Sequence, residues 1–187
     1  MAKRTQIICM HEGQSGKSID PVFANAFLKA YDPEWLRPFV TGKARFIGCG
    51  GKSELQKKFP QELKNCLNAG SDTTLIVLAD VDELKNGEQL KEQYWEIARQ
   101  NKISEESFEN VVFIFPRKRI ENWVQYLSTG VTDEGTVGPR DYNFSEAKDM
   151  AQKLAKKCRQ PQQTKETLPK SLEWSCNNWK ALVERMR

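Results

Sequence analysis

Apolar residues fall along this chain in four short, nearly continuous runs, separated by longer stretches in which they recur every three or four positions. The runs are Thr5 to Met10 (TQIICM), Ala44 to Cys49 (ARFIGC), Thr73 to Ala79 (TTLIVLA) and Asn110 to Phe115 (NVVFIF). Runs of that length, apolar on successive residues and bounded by turn formers, predict strands buried on both faces. The intervening stretches predict helices. Asp20-Pro21 sets a capping side chain before a proline at the first helical position and opens a helix to about Tyr31. Ser53 to Ala69 reads as a second helix with Ser53 as its cap, and Pro60 predicts a break or a second start within it. Glu88 to Asn101 and Ile120 to Leu127 follow as helices. Residues 145–158 and 171–186 form two more, joined by the polar linker RQPQQTKETLP. Strands alternating with helices predict an α/β fold, a mainly parallel sheet with helices on both faces and extra C-terminal helices. No internal repeat is present.

Composition narrows the class. At 187 residues and 39% hydrophobic, the chain is long enough to bury a core without disulfides or a structural metal. No apolar run nears the roughly 18 residues of a membrane span, and no signal-peptide core follows the start, so a soluble, cytoplasmic protein is expected. The five cysteines are odd in number, far apart and without a CxxC pair, which predicts reduced, packed thiols. His11 is the single histidine, which excludes zinc sites built on several histidines. Metal chemistry would then rest on carboxylates, whose hard oxygens suit Mg2+ or Mn2+. Charge is uneven: residues 148–187 carry ten Lys/Arg against four Asp/Glu, on a body that is slightly acidic. A basic end suits nucleic acid as well as an ordinary solvated helix face.

In open parallel sheets ligands bind beyond the carboxyl ends of the strands, where loops converge. Acids lie at three of those ends. Glu12 follows the first strand, Asp80 and Asp82 follow the third, and Glu121 lies just past the fourth. Asp80 and Asp82, two apart in extended chain, would point the same way. Two uncompensated carboxylates about 4 Å apart repel by about 4 kcal/mol at an effective dielectric of 20, a repulsion that a divalent cation reverses. Taken singly, each acid also fits a plain role as a turn former or cap. Gly13, directly after Glu12, allows close backbone approach.

The arrangement IICMHEG, TLIVLADVD and FIFPRKRIENW resembles the Toprim domain of topoisomerases, primases and overcoming-lysogenization-defect nucleases. It is most similar to small stand-alone Toprim-like proteins of bacterial and phage defence loci, whose Glu-x-Trp motif Glu121 and Trp123 match. The resemblance covers roughly residues 5–130 and implies a Toprim-like catalytic domain over 1–144, with 145–187 as a basic helical extension packed on it. It also implies Mg2+- or Mn2+-dependent cleavage of DNA or RNA in anti-phage defence. Asp80, Asp82 and Glu12 would hold one ion, and Glu121 would help to hold a second. Glu12 could instead act as general base or acid. Arg117, Lys118 and Arg119 could contact phosphate, and so could Lys17. The family's further acid after Glu-Gly would fall on Asp20, whose spacing is long, so helix capping is its expected role. Related systems pair such a module with an ATPase, which suggests a partner protein or a homo-oligomer.

Two other readings stay open. HEGQSGKS resembles the phosphate loop GxxxxGK[ST], with LIVLADVDE as the strand-plus-acid motif of an NTPase, yet His11 stands where the first glycine belongs. A non-catalytic interaction module is the other. Near the C-terminus Trp174, Trp179, Leu182, Val183 and Met186 read as packing residues at helical spacing. Lys148, Lys153, Lys156, Lys157 and Arg159 could line a nucleic-acid path.

Overall fold

A computed structural model describes residues 6–31, 44–70, 73–138, 141–159 and 167–186. The described strands are β1 (Gln6–His11), β2 (Ala44–Gly48), β3 (Thr73–Leu78) and β4 (Val112–Ile114). The described helices are α1 (Asp20–Tyr31), α2 (Lys52–Ala69), α3 (Gly87–Gln100), α4 (Glu105–Glu109), α5 (Ile120–Thr129), α6 (Phe144–Arg159) and α7 (Lys170–Met186). The four strands make one all-parallel sheet in the order β2-β1-β3-β4. Cys9 lies opposite Phe46 on one side and Ile76 on the other, and Val77 lies opposite Phe113. The α/β class expected from the sequence is the one observed. Among the described residues no helix is long and apolar enough to cross a membrane.

Alternation along the strands divides the core in two. Ile7, Cys9, Ile76, Leu78, Val112 and Ile114 face α1, α5, α6 and α7. Ile8, Met10, Leu75, Val77, Phe113 and Phe115 face α2, α3 and α4. Because both faces are covered, the strands read as continuous apolar runs rather than alternating ones. The second face is rich in rings: Phe59, Tyr94, Phe108, Phe113 and Phe115 pack with centroids 5.0–6.4 Å apart. Each such fully buried ring contributes roughly 1.5–3 kcal/mol.

Three local expectations change. Pro60 does not break α2, which runs through it, because Leu55, Phe59, Leu63 and Cys66 keep one apolar stripe buried on both sides of the proline. Tertiary burial outweighs the missing backbone donor. Ser53 does not cap that helix; the cap position is Gly51, without a side-chain bond, and the helix begins at Lys52. The short helix α4, capped by Ser104, was not expected and occupies only five residues, too few to display a helical period.

The C-terminal helices are part of the core. Ala147, Ala151, Leu154 and Ala155 of α6 pack into the cluster around α1, and Leu172, Cys176 and Trp179 of α7 join them. Helix α7 also covers the free edge of β4. Ser175 Oγ accepts from Phe115 N at 3.1 Å, and Asn178 Nδ2 donates to the Phe113 carbonyl at 2.8 Å. Trp179 is buried and meets Phe27 at a tilt, while the half-buried Trp174 stacks on Phe115, so both serve as packing residues. The side chains of Arg159, Leu182, Val183 and Met186 lie outside the described residues.

Candidate functional site

The strand order places the chemistry. From β1 the chain crosses outward to β2, then returns past β1 to β3, so the direction of winding reverses between β1 and β3. A reversal of that kind opens a crevice at the carboxyl ends of the two strands. Glu12 sits at one lip and Asp80 at the other. Glu12 Oε1 accepts a hydrogen bond from Asp80 N at 2.9 Å, which bridges the crevice.

Asp80 lies at the centre of the acidic group. Burial, followed by the charges of Glu12, Asp20, Asp82 and Glu121, pushes its carboxyl well above the usual range. Glu12 is raised as well, by burial first, while Lys52 and the Asp80 amide pull it back. Asp20 is pushed up to about 6, chiefly by burial and also by Glu121. Five carboxylates from two strand ends and two helix starts therefore share one field. In water such charges would be screened; in a crevice they cost stability and favour either a proton or a cation.

Asp82 reaches the group by a route other than strand alternation. Extended chain ends before it, and its φ of 56° puts it in the left-handed region, where aspartate is among the tolerated residues. The Asp-x-Asp segment is held against the chain beyond β4: Val81 N donates to the Pro116 carbonyl at 2.8 Å and Asp82 N to that of Arg117 at 2.7 Å. A turn, not a pleat, aims the second aspartate. Its carboxylate forms an ion pair with Lys52, the first residue of α2.

Asp20 corrects the capping expectation. The backbone N–H of Asp20 donates to Ser18 Oγ at 3.1 Å, and its carboxylate is bonded to Ser18 and to the Gly13 N–H, upstream of the helix. The side chain thus faces Glu121 and Asp80 rather than the first-turn amides. Beside it lies His11, 1% exposed, whose Nδ1 is 4.0 Å from Asp20 Oδ2 and has no hydrogen-bond partner among the described residues. Burial pushes the His11 pKa down, which favours the neutral ring.

Glu121 sits in the first turn of α5, with its carboxylate 3.8 Å from Arg119 Nε. Two residues on, about 200° around a helix, Trp123 is 1% exposed and donates from Nε1 to Ser171 Oγ of α7 at 2.9 Å. The Glu-x-Trp spacing thus sends one side chain to the crevice and the other into the core.

Arg117, Lys118 and Arg119, expected to meet phosphate, each have partners within the protein. Arg117 donates to the Lys85 carbonyl, Lys118 pairs with Glu83 at 2.6 Å, and Arg119 donates to Asp141 at 2.9 Å and to the Gly138 carbonyl at 2.8 Å. Lys17 is exposed in the turn between β1 and α1. That turn is tightly folded. A Cβ on Gly13 would lie 2.2 Å from Ser18 Cβ, and one on Gly48 would lie 2.5 Å from Ser15 N. Helix α1 starts at Asp20, three residues after Lys17, whereas a phosphate loop runs into its helix at the lysine. The Gly13 amide is turned to Asp20.

The donor set, oxygen only and crowded with negative charge, fits a hard divalent cation in type and charge. Glu12 is bonded to the Asp80 amide and Asp82 to Lys52. Among the described residues no three His, Cys, Asp or Glu side chains are gathered closely enough to ligate one ion. Lys52 was missed in the sequence because acids alone were placed at the strand ends; the GGK that follows β2 was the available signal.

No family model matches this chain, and no curated protein sequence matches it.

Proposed function

We propose that this chain is a Mg2+- or Mn2+-dependent nuclease of the Toprim type, hydrolysing phosphodiester bonds of DNA or RNA. The observation that carries the reading is the field at Asp80: four other carboxylates, brought from far apart in the chain, raise its pKa at the winding reversal of a parallel sheet. Structural acids are ordinarily dispersed or paired, whereas clustered acids with perturbed pKa values in a crevice mark functional sites.

Glu12, Asp80 and Asp82 would hold the first ion, with Glu121 and Asp20 on the side where a second would lie. Such ions activate water and stabilise the leaving oxygen of the cleaved phosphodiester. Burial raises Glu12, the direction that suits a side chain holding or passing a proton. Lys52 pairs with Asp82 and pulls Glu12 back down in part, offsetting some of the negative charge of the group. Arg119, close to Glu121 and to the loop at Gly138, fixes the start of α5. An effector role in anti-phage defence, with an ATPase partner or a second copy of the chain, extends this reading through the resemblance of the motifs.

Incubation with plasmid DNA and with tRNA in Mg2+ or Mn2+ tests the proposal. Wild-type protein is expected to cleave at least one of them, and Asp80→Asn and Glu12→Gln each to reduce the rate on the order of 10³-fold or more. Cleavage that persists in both folded variants, or in excess chelator, rejects it.

A further inference from the structure

Cys158 on α6 and Cys176 on α7 are both buried, and their Sγ atoms stand 2.8 Å apart. That is about 0.8 Å beyond the bonded sulfur–sulfur separation of about 2.05 Å. The described cysteines are all free thiols, and the remaining three sit in different surroundings. Cys49 Sγ donates to the Ile47 carbonyl at 3.7 Å. Burial pushes the Cys66 thiol up to about 12 and raises Cys9 as well. At Cys158 the direction is opposite, because the Cys176 S–H hydrogen bond favours its thiolate and Lys180 adds to the effect. One thiol of the pair is thus poised as a nucleophile and the other as its resolving partner.

We propose that Cys158 and Cys176 form an oxidant-responsive dithiol that hydrogen peroxide closes to an intramolecular disulfide. The Cys158 thiolate attacks one peroxide oxygen, the O–O bond breaks, and a sulfenic acid and hydroxide result, the hydroxide leaving as water. Cys176 sulfur then attacks the Cys158 sulfur, the S–O bond breaks, and a second water leaves with the Cys176 proton. The two sulfurs lose two electrons in all, and one peroxide becomes two waters. A small oxidant suits the site, since the cysteines are 6% and 4% exposed.

The bond would join two helices that hold different parts of the molecule. Helix α6 packs on α1, which begins at Asp20, while α7 holds β4 through Ser175 and Asn178 and holds α5 through Ser171 and Trp123. Oxidation would therefore staple the helical layer behind the crevice without consuming any residue of the acidic group. The inference does not depend on the nuclease reading, and its test needs no substrate.

The full chain is treated with peroxide, quenched, denatured and alkylated, then compared by intact mass and peptide mapping with a reduced sample. The expected result is three alkylated cysteines instead of five, a peptide cross-link joining Cys158 to Cys176, reversal by dithiothreitol, and a Tm about 6–10 °C higher in the oxidised protein. Cys158→Ala and Cys176→Ala should each abolish the cross-link, and Cys66→Ala should preserve it. Five alkylated cysteines after oxidation, a cross-link between other positions, or sulfinic acid at Cys158 without a cross-link would overturn the proposal. The mapping is read on wild-type protein, so it stands even where a variant fails to fold.

Discussion

The two regions of the molecule that differ most are the aromatic layer under α2 and α3 and the carboxylate crevice at the ends of β1 and β3. In the layer Phe59, Tyr94, Phe108 and Phe113 are at most 2% exposed and meet edge-on or tilted, an arrangement that maximises burial and satisfies ring electrostatics. In the crevice burial and then neighbouring carboxylates raise Asp80, Glu12 and Asp20, and the described cations beside the group are Lys52, paired with Asp82, and Arg119, near Glu121. The layer contributes stability with no evident chemistry. The crevice spends stability to hold charge in place. Folded proteins tolerate the second kind of region because the first kind compensates for it.

Truncation separates the two most sharply. Phe59→Ala should cost about 3–5 kcal/mol of folding stability, read by chemical denaturation, and leave metal affinity unchanged in the fraction that folds. Asp80→Asn should do the reverse, raising the Tm of the metal-free protein while removing its response to Mn2+. A Tm loss in Asp80→Asn comparable with that of Phe59→Ala would make Asp80 a structural residue and erase the contrast.

A smaller effect comes from Asp20. Its folded pKa, about 6, lies above the ordinary aspartate value of 3.8, so the native state binds more protons than the unfolded state in that window. Stability contributed by the protonated form is fully present below pH of about 4 and is lost as pH rises through about 6. Relative to wild type, Asp20→Asn should therefore gain on the order of 2–3 kcal/mol across that range and stay level above it. A difference that is flat between pH 4 and 7 would show that Asp20 does not feel the other acids.

The same contrast explains what could be read from sequence. The apolar runs at Gln6–His11, Thr73–Leu78 and Val112–Ile114 are legible because strands covered on both faces leave no polar alternation to confuse them. Glu12, Asp80, Asp82 and Glu121 are legible as candidates because a parallel sheet sends all its strand ends to one rim. Asp20 and Lys52 were not. Their place depends on which strands are neighbours: β2 beside β1 carries the start of α2 within reach of Asp82, thirty residues away in sequence. The turn at Asp82 and the continuity of α2 through Pro60 are likewise set by long-range packing, which local preference does not encode. The run Arg117-Lys118-Arg119 read as free charge, yet its partners Glu83, Asp141 and the Lys85 carbonyl are remote in sequence.

The central claim, that the crevice carboxylates take up a hard divalent cation, is tested most directly by calorimetric titration of Mn2+ into the metal-free protein near pH 7 in two buffers of different ionisation enthalpy. Wild type should bind, with an enthalpy that depends on buffer because the strongly raised Asp80 carboxyl couples cation uptake to proton release, and Asp80→Asn and Glu12→Gln should each lose that binding. Absence of binding in wild type, or binding that both variants retain unchanged, would contradict the claim.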